Sequence, residues 1–472
     1  MENLLIDFYE LTMGQGYFDN KMHEKVAYFD LFFRRVPDKG SFVIANGVNK
    51  VVEYLLQFSF TAQDIEYLKS LNRFSDDYLT YLQTIKFTGD MWAVKDGTVV
   101  FANEPVITIK APLLQGQLVE TMLLVLFNRS SLITTKASRI VRSAQGRDVL
   151  EFGTRRAQGI HAAVDGALDT YIAGAIGTAC TLTAQKYGVP AVGTMAHSFV
   201  QSFENEYDSF VAYAKSFPSS CTLLVDTYNT LNSGVVNAIK VNKEILAPMG
   251  EFLKGIRIDS GDLAYLSKQA RKMLDEAGLE KTKIIVSNSL DENIIQSLLL
   301  QRAPIDVFGV GENMITAKSQ PVFGGVYKLV ATEENGNIVP KIKVSDNIEK
   351  ITNPHFKKIY RIFDENNMFA TDIIALYNEN PPTEKLSLVH PQNPWVKKEI
   401  KNYKVIEIKE KFIENGVLIK ELPSISKTRS YVQQQLSTLW EEAKRLENPH
   451  LYTINLSDKL TILKQELINK NS

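Results

Sequence analysis

The chain has 472 residues, too many for one ordinary hydrophobic core, so two or three domains are expected. Hydrophobic residues at 44% and charged residues at 23% are the balance of a soluble globular protein, which excludes a disordered or membrane-embedded chain. A net charge of -1 gives no global field toward nucleic acid or an anionic membrane, so neither is an expected partner and any anionic ligand must be held by local groups.

The N-terminal MENLLIDFYEL is acidic and lacks a basic n-region, so it does not read as a secretory signal, and a cytoplasmic protein is expected. Residues 4–19 predict a helix, with Leu4, Leu5, Phe8, Leu11 and Thr12 at helical spacing and Tyr9 and Tyr17 as notable aromatics. AYFDLFFRRVP reads as a strand ending in Arg34 and Arg35, a basic pair that suits a solvated edge or a phosphate. Residues 48–85 look helical, with repeated Leu, Tyr and Ile. Residues 87–112 alternate, with turns at Lys95-Asp96-Gly97 and Ala102-Asn103-Glu104-Pro105, and predict a small antiparallel sheet. Helices are expected over about 114–127 and 133–144; the apolar run from Met122 to Phe127 is far too short to span a bilayer.

From Asp148 the period becomes strand–helix, with strands predicted at 148–152, 190–195, 221–226, 255–259, 283–287 and 305–310. Helices are predicted between them at 157–173, 198–214, 233–246, 262–277 and 291–301. The repeat of roughly 30 residues is that of βα units with parallel strands. No N-terminal GxGxxG turn is present, which favours a barrel over a dinucleotide-binding doubly wound sheet. The two cysteines, Cys180 and Cys221, form no CxxC pair, so a disulfide framework or a cysteine-rich zinc site is not expected. After Val330 the pattern breaks down: residues 339–420 read as strands and connections, and the tail as two helices, the first with Val432, Leu436, Leu439 and Trp440 on one face.

The chemistry is concentrated at the predicted strand ends. The first supplies Gly153, Thr154, Arg155 and Arg156, the second Thr194, His197 and Ser198, and the third Asp226, Thr227 and Asn229. The fourth supplies Arg257, Asp259, Ser260, Gly261 and Asp262, the fifth Ser287, Asn288 and Ser289, and the sixth Gly309, Gly311 and Glu312. If the strands are parallel neighbours, all of these face one mouth. Gly/Ser turns that open helices make an anion cradle, and Arg adds bidentate donors for phosphate or carboxylate. Carboxylates beside them suit Mg²⁺ rather than a soft metal. Singly each motif is ordinary: SGD is a common helix cap, Arg155-Arg156 a common surface pair, and His197 one of six histidines. No GxxxxGK(S/T) loop, HExxH or paired-cysteine signature occurs, so ATP would bind in another way and zinc is not expected.

The ordered set DFYELTMGQGYF, FFRRVP, NEPVITIKAPLLQGQLVET, LITTKASRIV, EFGTRRAQG, GTMAHSF, LLVDTYNT, GIRIDSGDL, SNSLDE, FGVGENM and GGVYKLV resembles nicotinate phosphoribosyltransferase, of the type II phosphoribosyltransferase family. The resemblance implies an α/β fold: an irregular (β/α) barrel with an N-terminal α/β sandwich domain completed by C-terminal segments. The implied divisions are 1–130, 131–335 and 336–472, the last returning in part to the first. It also implies transfer of the ribosyl group of 5-phosphoribosyl 1-diphosphate to nicotinate in NAD salvage, driven by ATP through a phosphohistidine, with Mg²⁺ and a homodimer that shares its active site.

Residue by residue, the resemblance makes His197 the phosphorylated histidine and Tyr9 the tyrosine that stacks on the pyridine ring from the partner subunit. Arg257 matches the nicotinate/ribose-phosphate site, and Arg155 with Phe152 another wall of the base pocket. Asp226 and Asp259 match carboxylates near the ribose diphosphate and Mg²⁺. Thr194 and Ser198 flank the histidine, while Ser260, Gly261, Asn288, Gly309 and Gly311 match the ribose-phosphate cradle. Amide-selective members carry Asp in a GTD triplet on the helix before the histidine strand; here the triplet is Gly177-Thr178-Ala179, which favours the acid substrate. Ala179-Cys180 replaces the usual Ser-Asn, and Glu312 puts a negative charge beside the cradle. Alternatives are a nicotinamide or quinolinate enzyme, or a catalytically weakened metabolite-binding paralogue.

Overall fold

In the computed structural model, which describes residues 3–383, 385–389, 395 and 397–471, the strand–helix period after Asp148 folds into one parallel sheet. The strand order is Gly177–Thr178, Asp148–Glu151, Val307–Val310, Lys283–Ser287, Gly255–Ile258, Thr222–Leu224. Every pairing is parallel. One parallel bridge adds Ala191 beside Thr178. Each strand thus lies beside a neighbour in the chain, and the last pairs with the first, Val307 with Asp148 through Val310 with Glu151. This is the connectivity of a barrel, irregular because no pairing joins the segments at Ala191 and Thr222 among the described residues. The strands are apolar because helices cover them: Val149, Ile256, Ile258, Ile284, Val286, Phe308 and Val310 are all buried. Each such side chain contributes on the order of 1.5–3 kcal/mol of transfer free energy.

The differences from expectation have local causes. The strand expected at 190–195 shrinks to the Ala191 bridge, and the two-residue strand Gly177–Thr178 was not foreseen. Pro190 has no N–H to donate, so only Thr178 pairs there: its N–H donates to Pro190 O (3.0 Å) and its carbonyl accepts from Val192 N (2.9 Å). The expected helix 198–214 is two, His197–Gln201 and Glu206–Ser216, the second capped by the Asn205 side chain. The expected helix 233–246 is α-helical only over Val235–Val241, with π turns at Thr230–Gly234 and Asn242–Leu246. The 48–85 stretch is three helices, because Thr61 and Asp64 form a capping box and Ser75 caps the next start.

The chain divides into two units, 133–321 with the barrel strands, and 1–132 together with 322–472. The second unit is built on a seven-stranded sheet in the order Asn337–Pro340, Gly325–Glu334, Val26–Phe33, Ile107–Pro112, Asp90–Ala93, Glu410–Glu414, Val417–Leu418. The strand after the barrel returns to the first strand of the chain, antiparallel from Ala27–Thr332 to Phe33–Gly325. Arg34 and Arg35, which end that first strand, are both engaged by Glu349: Arg34 Nε donates to its carbonyl and Arg35 Nη2 to its carboxylate, each at 2.9 Å. A four-stranded sheet holds Lys404–Glu407, Lys357–Phe363, Phe369–Leu376 and Ile454–Leu456. The tail helices are Ile425–Ser437 and Asp458–Asn471; Val432, Leu436 and Leu439 are buried, but the first helix ends before Leu439 and Trp440. The parts of the 339–420 stretch at 384, 390–394 and 396 lie outside the described residues. Among the described residues no helix is long and apolar enough to cross a membrane.

Candidate active site

At the carboxyl ends of the barrel strands lies a cleft of about 330 Å³, contained within the 133–321 unit. Of the residues singled out from sequence, Phe152, Arg155, Arg257 and Asp259 line it, together with Asn288, Gly309 and Gly311. Gly309 is there because of Phe152: a Cβ at residue 309 would sit 2.5 Å from the Phe152 ring, so only glycine lets the ring cross the sixth strand end. Phe152 N–H donates to Val310 O at 2.8 Å, holding the two strand ends in step.

The carboxylates form a linked pair. Asp226 Oδ2 accepts from the Asp259 backbone N–H (2.9 Å) and from Ser260 Oγ (2.6 Å). Asp259 Oδ1 accepts from the Ser287 hydroxyl, so the third, fourth and fifth strand ends are tied by side chains. Asp226 is buried, and its Oδ1 has no hydrogen-bond partner among the described residues. An unpartnered buried carboxylate oxygen carries a large desolvation cost unless a cation or donor meets it.

His197 is the first residue of its short helix; Nδ1 lies 3.1 Å from Thr227 Oγ1 and Nε2 3.9 Å from Asp259 Oδ2. Thr194 accepts from Arg257 Nη1 at 3.1 Å, while Ser198 is exposed in the second position of the histidine helix. Burial pushes the Arg257 guanidinium below its usual value; Asp259 and Asp226 oppose this, and nearby Arg155 adds to it. Its Nε is buried without a partner among the described residues. Two guanidiniums that repel each other in one cleft form a site whose strain an anion would relieve.

The expected anion cradle is only partly open. The helices Leu263–Glu276 and Glu292–Leu300 begin on Asp262 and Asp291, whose carboxylates accept the first backbone N–H groups (Tyr265, 3.0 Å; Ile294, 2.8 Å). Those helix starts are therefore already partly satisfied, and Ser260 and Gly261 precede the cap, with Gly261 at φ 79°. What stays available is the irregular backbone at Asn288 (φ 94°) and Ser289 (φ 49°), and the turn at Gly311. Asn313 Nδ2 donates to Ser289 O (2.9 Å) and Leu290 O (3.1 Å), locking these two turns together.

Several groups escaped the sequence reading as site residues. Glu151 is buried at the first strand end, where burial raises its carboxyl; it accepts from Gly153 N–H and from Thr178 Oγ1 (2.5 Å). It thereby fixes both the Phe152–Arg155 turn and the turn carrying Ala179. That Ala179 lines the cleft at the end of a strand, and not on a helix as expected. Lys318 also lines the cleft, 2.6 Å from Glu312. Glu151 was legible as part of EFGTRR; Lys318, six residues beyond Glu312, was not. Tyr9 belongs to the other unit, on the helix Phe8–Asp19, and is 46% exposed. Among the described residues no group of three or more His, Cys, Asp or Glu could hold a metal ion by itself.

Comparison with known proteins gives one answer along the chain. Residues 4–128 match the nicotinate phosphoribosyltransferase (NAPRTase) N-terminal domain, 148–366 the NAPRTase family, and 356–464 the C-terminal domain. A nicotinate phosphoribosyltransferase of Bacillus subtilis is 43% identical over 472 residues, covering 99% of this chain and 95% of that one. One from Mycobacterium tuberculosis is 39% identical, covering 97% and 92%. The crystal structure of human nicotinic acid phosphoribosyltransferase superposes with a TM-score of 0.88 at 29% identity, over 98% of this chain and 100% of that one. A nicotinate-nucleotide pyrophosphorylase from Pyrococcus furiosus shares the fold, with a TM-score of 0.68 at 22% identity, over 92% and 94%. With its barrel of strand-end arginines and carboxylates, and with this agreement over nearly its whole length, the chain belongs to the nicotinate phosphoribosyltransferase family.

Proposed function

We propose that the protein joins nicotinate to C1 of 5-phosphoribosyl 1-diphosphate, giving nicotinate mononucleotide and diphosphate in NAD salvage, as an ATP-dependent ligase. The observation that carries this is the cleft that Arg155, Arg257 and Asp259 line together, with Asp226 hydrogen-bonded to the Asp259 backbone, in a chain of this family. Displacement at C1 builds positive charge on the ribose ring and negative charge on the leaving diphosphate. Asp259, in the cleft, offsets the first. Phe152, seated over Gly309, gives the pyridine ring a face on which to lie, with its nitrogen held toward C1. The nicotinate carboxylate relieves the repulsion between Arg155 and Arg257. Ala179 places no carboxylate at the wall of the cleft, which favours nicotinate over nicotinamide.

The donor set fits Mg²⁺, which takes one or two carboxylates and completes its shell with phosphate oxygens and water. Asp226 and Asp259 would hold it, and the unpartnered Asp226 Oδ1 is a hard oxygen suited to the ion. Bound there, Mg²⁺ would neutralise charge on the leaving diphosphate. For ATP coupling, the Thr227 hydroxyl 3.1 Å from His197 Nδ1 engages that nitrogen and leaves Nε2 as the nucleophile. Nε2 bonds to the γ-phosphorus as the bond to the ADP oxygen breaks, and water later releases phosphate from the histidine. A homodimer completes the site with Tyr9 of a second copy.

The test is diphosphate release. It is expected only when nicotinate and phosphoribosyl diphosphate are both present, with nicotinate turned over faster than nicotinamide or quinolinate. In His197→Ala the acceleration by ATP disappears while basal turnover remains. Tight binding of both substrates by calorimetry without turnover would overturn the enzymatic reading, and undiminished ATP stimulation in His197→Ala would overturn the phosphohistidine.

A further inference from the structure

Glu312 stands directly after Gly311, at the end of the sixth strand, and lines the cleft. Alone it would oppose any phosphate bound at that turn, since like charges a few ångströms apart near a protein surface cost about a tenfold loss of affinity or more. It is not alone. Glu312 Oε1 lies 2.6 Å from Lys318 Nζ, and Oε2 lies 3.9 Å from Arg156 Nη1. The turn itself creates the first contact: Thr316 N–H donates to Glu312 O (3.1 Å) and Lys318 N–H to Asn313 O (3.3 Å), folding residue 318 back over residue 312. Asn313 holds this turn to the 288–290 turn, fixing the backbone from which both side chains extend. Both cations also line the cleft.

We propose that Lys318 is a compensating residue of the phosphate-binding mouth: it cancels Glu312, with Arg156 in support, so that a strand end carrying an acid still accepts a phosphate monoester. The inference rests on the reading above that a phosphoribosyl group binds in this cleft. An exposed ion pair of this kind adds little to folding stability. Its consequence is the field at the mouth, where two cations and one anion leave a net positive charge. Lys318, and secondarily Arg156, hold the Glu312 carboxyl below its usual range, so the charge to be cancelled is present throughout the neutral region.

The experiment compares wild type with Lys318→Ala, Glu312→Thr and the double variant. All alter exposed side chains, so folding is expected to be intact, and thermal melting checks it. Steady-state assays give kcat and the KM for each substrate; calorimetry gives the Kd for ribose 5-phosphate without turnover. Lys318→Ala is expected to raise the KM for phosphoribosyl diphosphate and the Kd for ribose 5-phosphate about tenfold, with kcat and the nicotinate KM within about twofold. Adding Glu312→Thr should bring both constants back to within about threefold of wild type, because the unmasked charge is gone. Unchanged binding in Lys318→Ala overturns the proposal. So does a double variant as weak as Lys318→Ala, since Lys318 would then act on the ligand directly. If wild type shows no turnover, the functional reading fails, while the ribose 5-phosphate titration still decides the charge balance.

Discussion

Single buried carboxylates set much of this molecule's behaviour. In the barrel, Glu151 uses both oxygens, on Gly153 N–H and the Thr178 hydroxyl, and so holds two walls of the cleft at once. Asp226 uses one oxygen, on Asp259 and Ser260, and its other is buried without a partner among the described residues. In the other unit, Glu10 accepts from Thr121 Oγ1 (2.5 Å), and burial pushes its carboxyl up from 4.5 to about 8. The unfolded chain loses this proton near pH 4.5, whereas the folded protein keeps it until about pH 8. The folded state therefore binds more protons across that window, so its stability falls as pH rises through it and levels off above. Glu10→Gln removes this term. Thermal melts are expected to show the variant gaining on wild type from pH 5 to pH 8.5, and parallel pH profiles would contradict the assignment.

At the scale of elements, the strand ends are set by how the following segment departs. The π turn Thr230–Gly234 brings Gly234 against the strand that leads into Asp226; a Cβ there would sit 1.8 Å from Val225 O. Gly234→Ala must push the turn or the strand aside, at a cost of about 1–3 kcal/mol. Because Asp226 follows at once, kcat is expected to fall together with stability; chemical denaturation and steady-state kinetics on the same preparation check both. A variant as stable as wild type would mean that the turn gives way more easily than its geometry suggests. Neither this turn nor the two-residue strand Gly177–Thr178 was legible in the sequence, because periodicity over so few residues carries no signal. The long apolar strands and the helical stretches were legible, because hydrophobic period acts locally, but the caps at Thr61, Ser75 and Asn205 that divide 48–85 and 198–214 were not read.

At the scale of the whole molecule, the proposed site needs two copies of the chain. Tyr9→Ala and His197→Ala would each be inactive in ATP-coupled turnover as homodimers. Mixed and re-equilibrated, half the dimers pair one of each, and one of the two sites in such a dimer has both side chains intact. About a quarter of wild-type coupled activity is then expected. No recovery after verified subunit exchange would place both residues in one subunit's site.

The sequence by itself determined the βα period, the run of polar residues closing each barrel strand, and the order of motifs by which the family is recognised. These are local properties: a strand's apolar core and its polar tip lie within ten residues of each other. Only the tertiary structure decided which of those tips share a cleft. It put Arg155, Arg257 and Asp259 in one cleft, brought His197 and Asp226 to Asp259, and brought Lys318 back over Glu312. It also decided that the Asp262 and Asp291 side chains cap the helices after the fourth and fifth strand ends. Such choices depend on strand register and on the path of each turn, where a shift of one residue turns a side chain to the opposite face. No pattern of residue types along the chain records that shift.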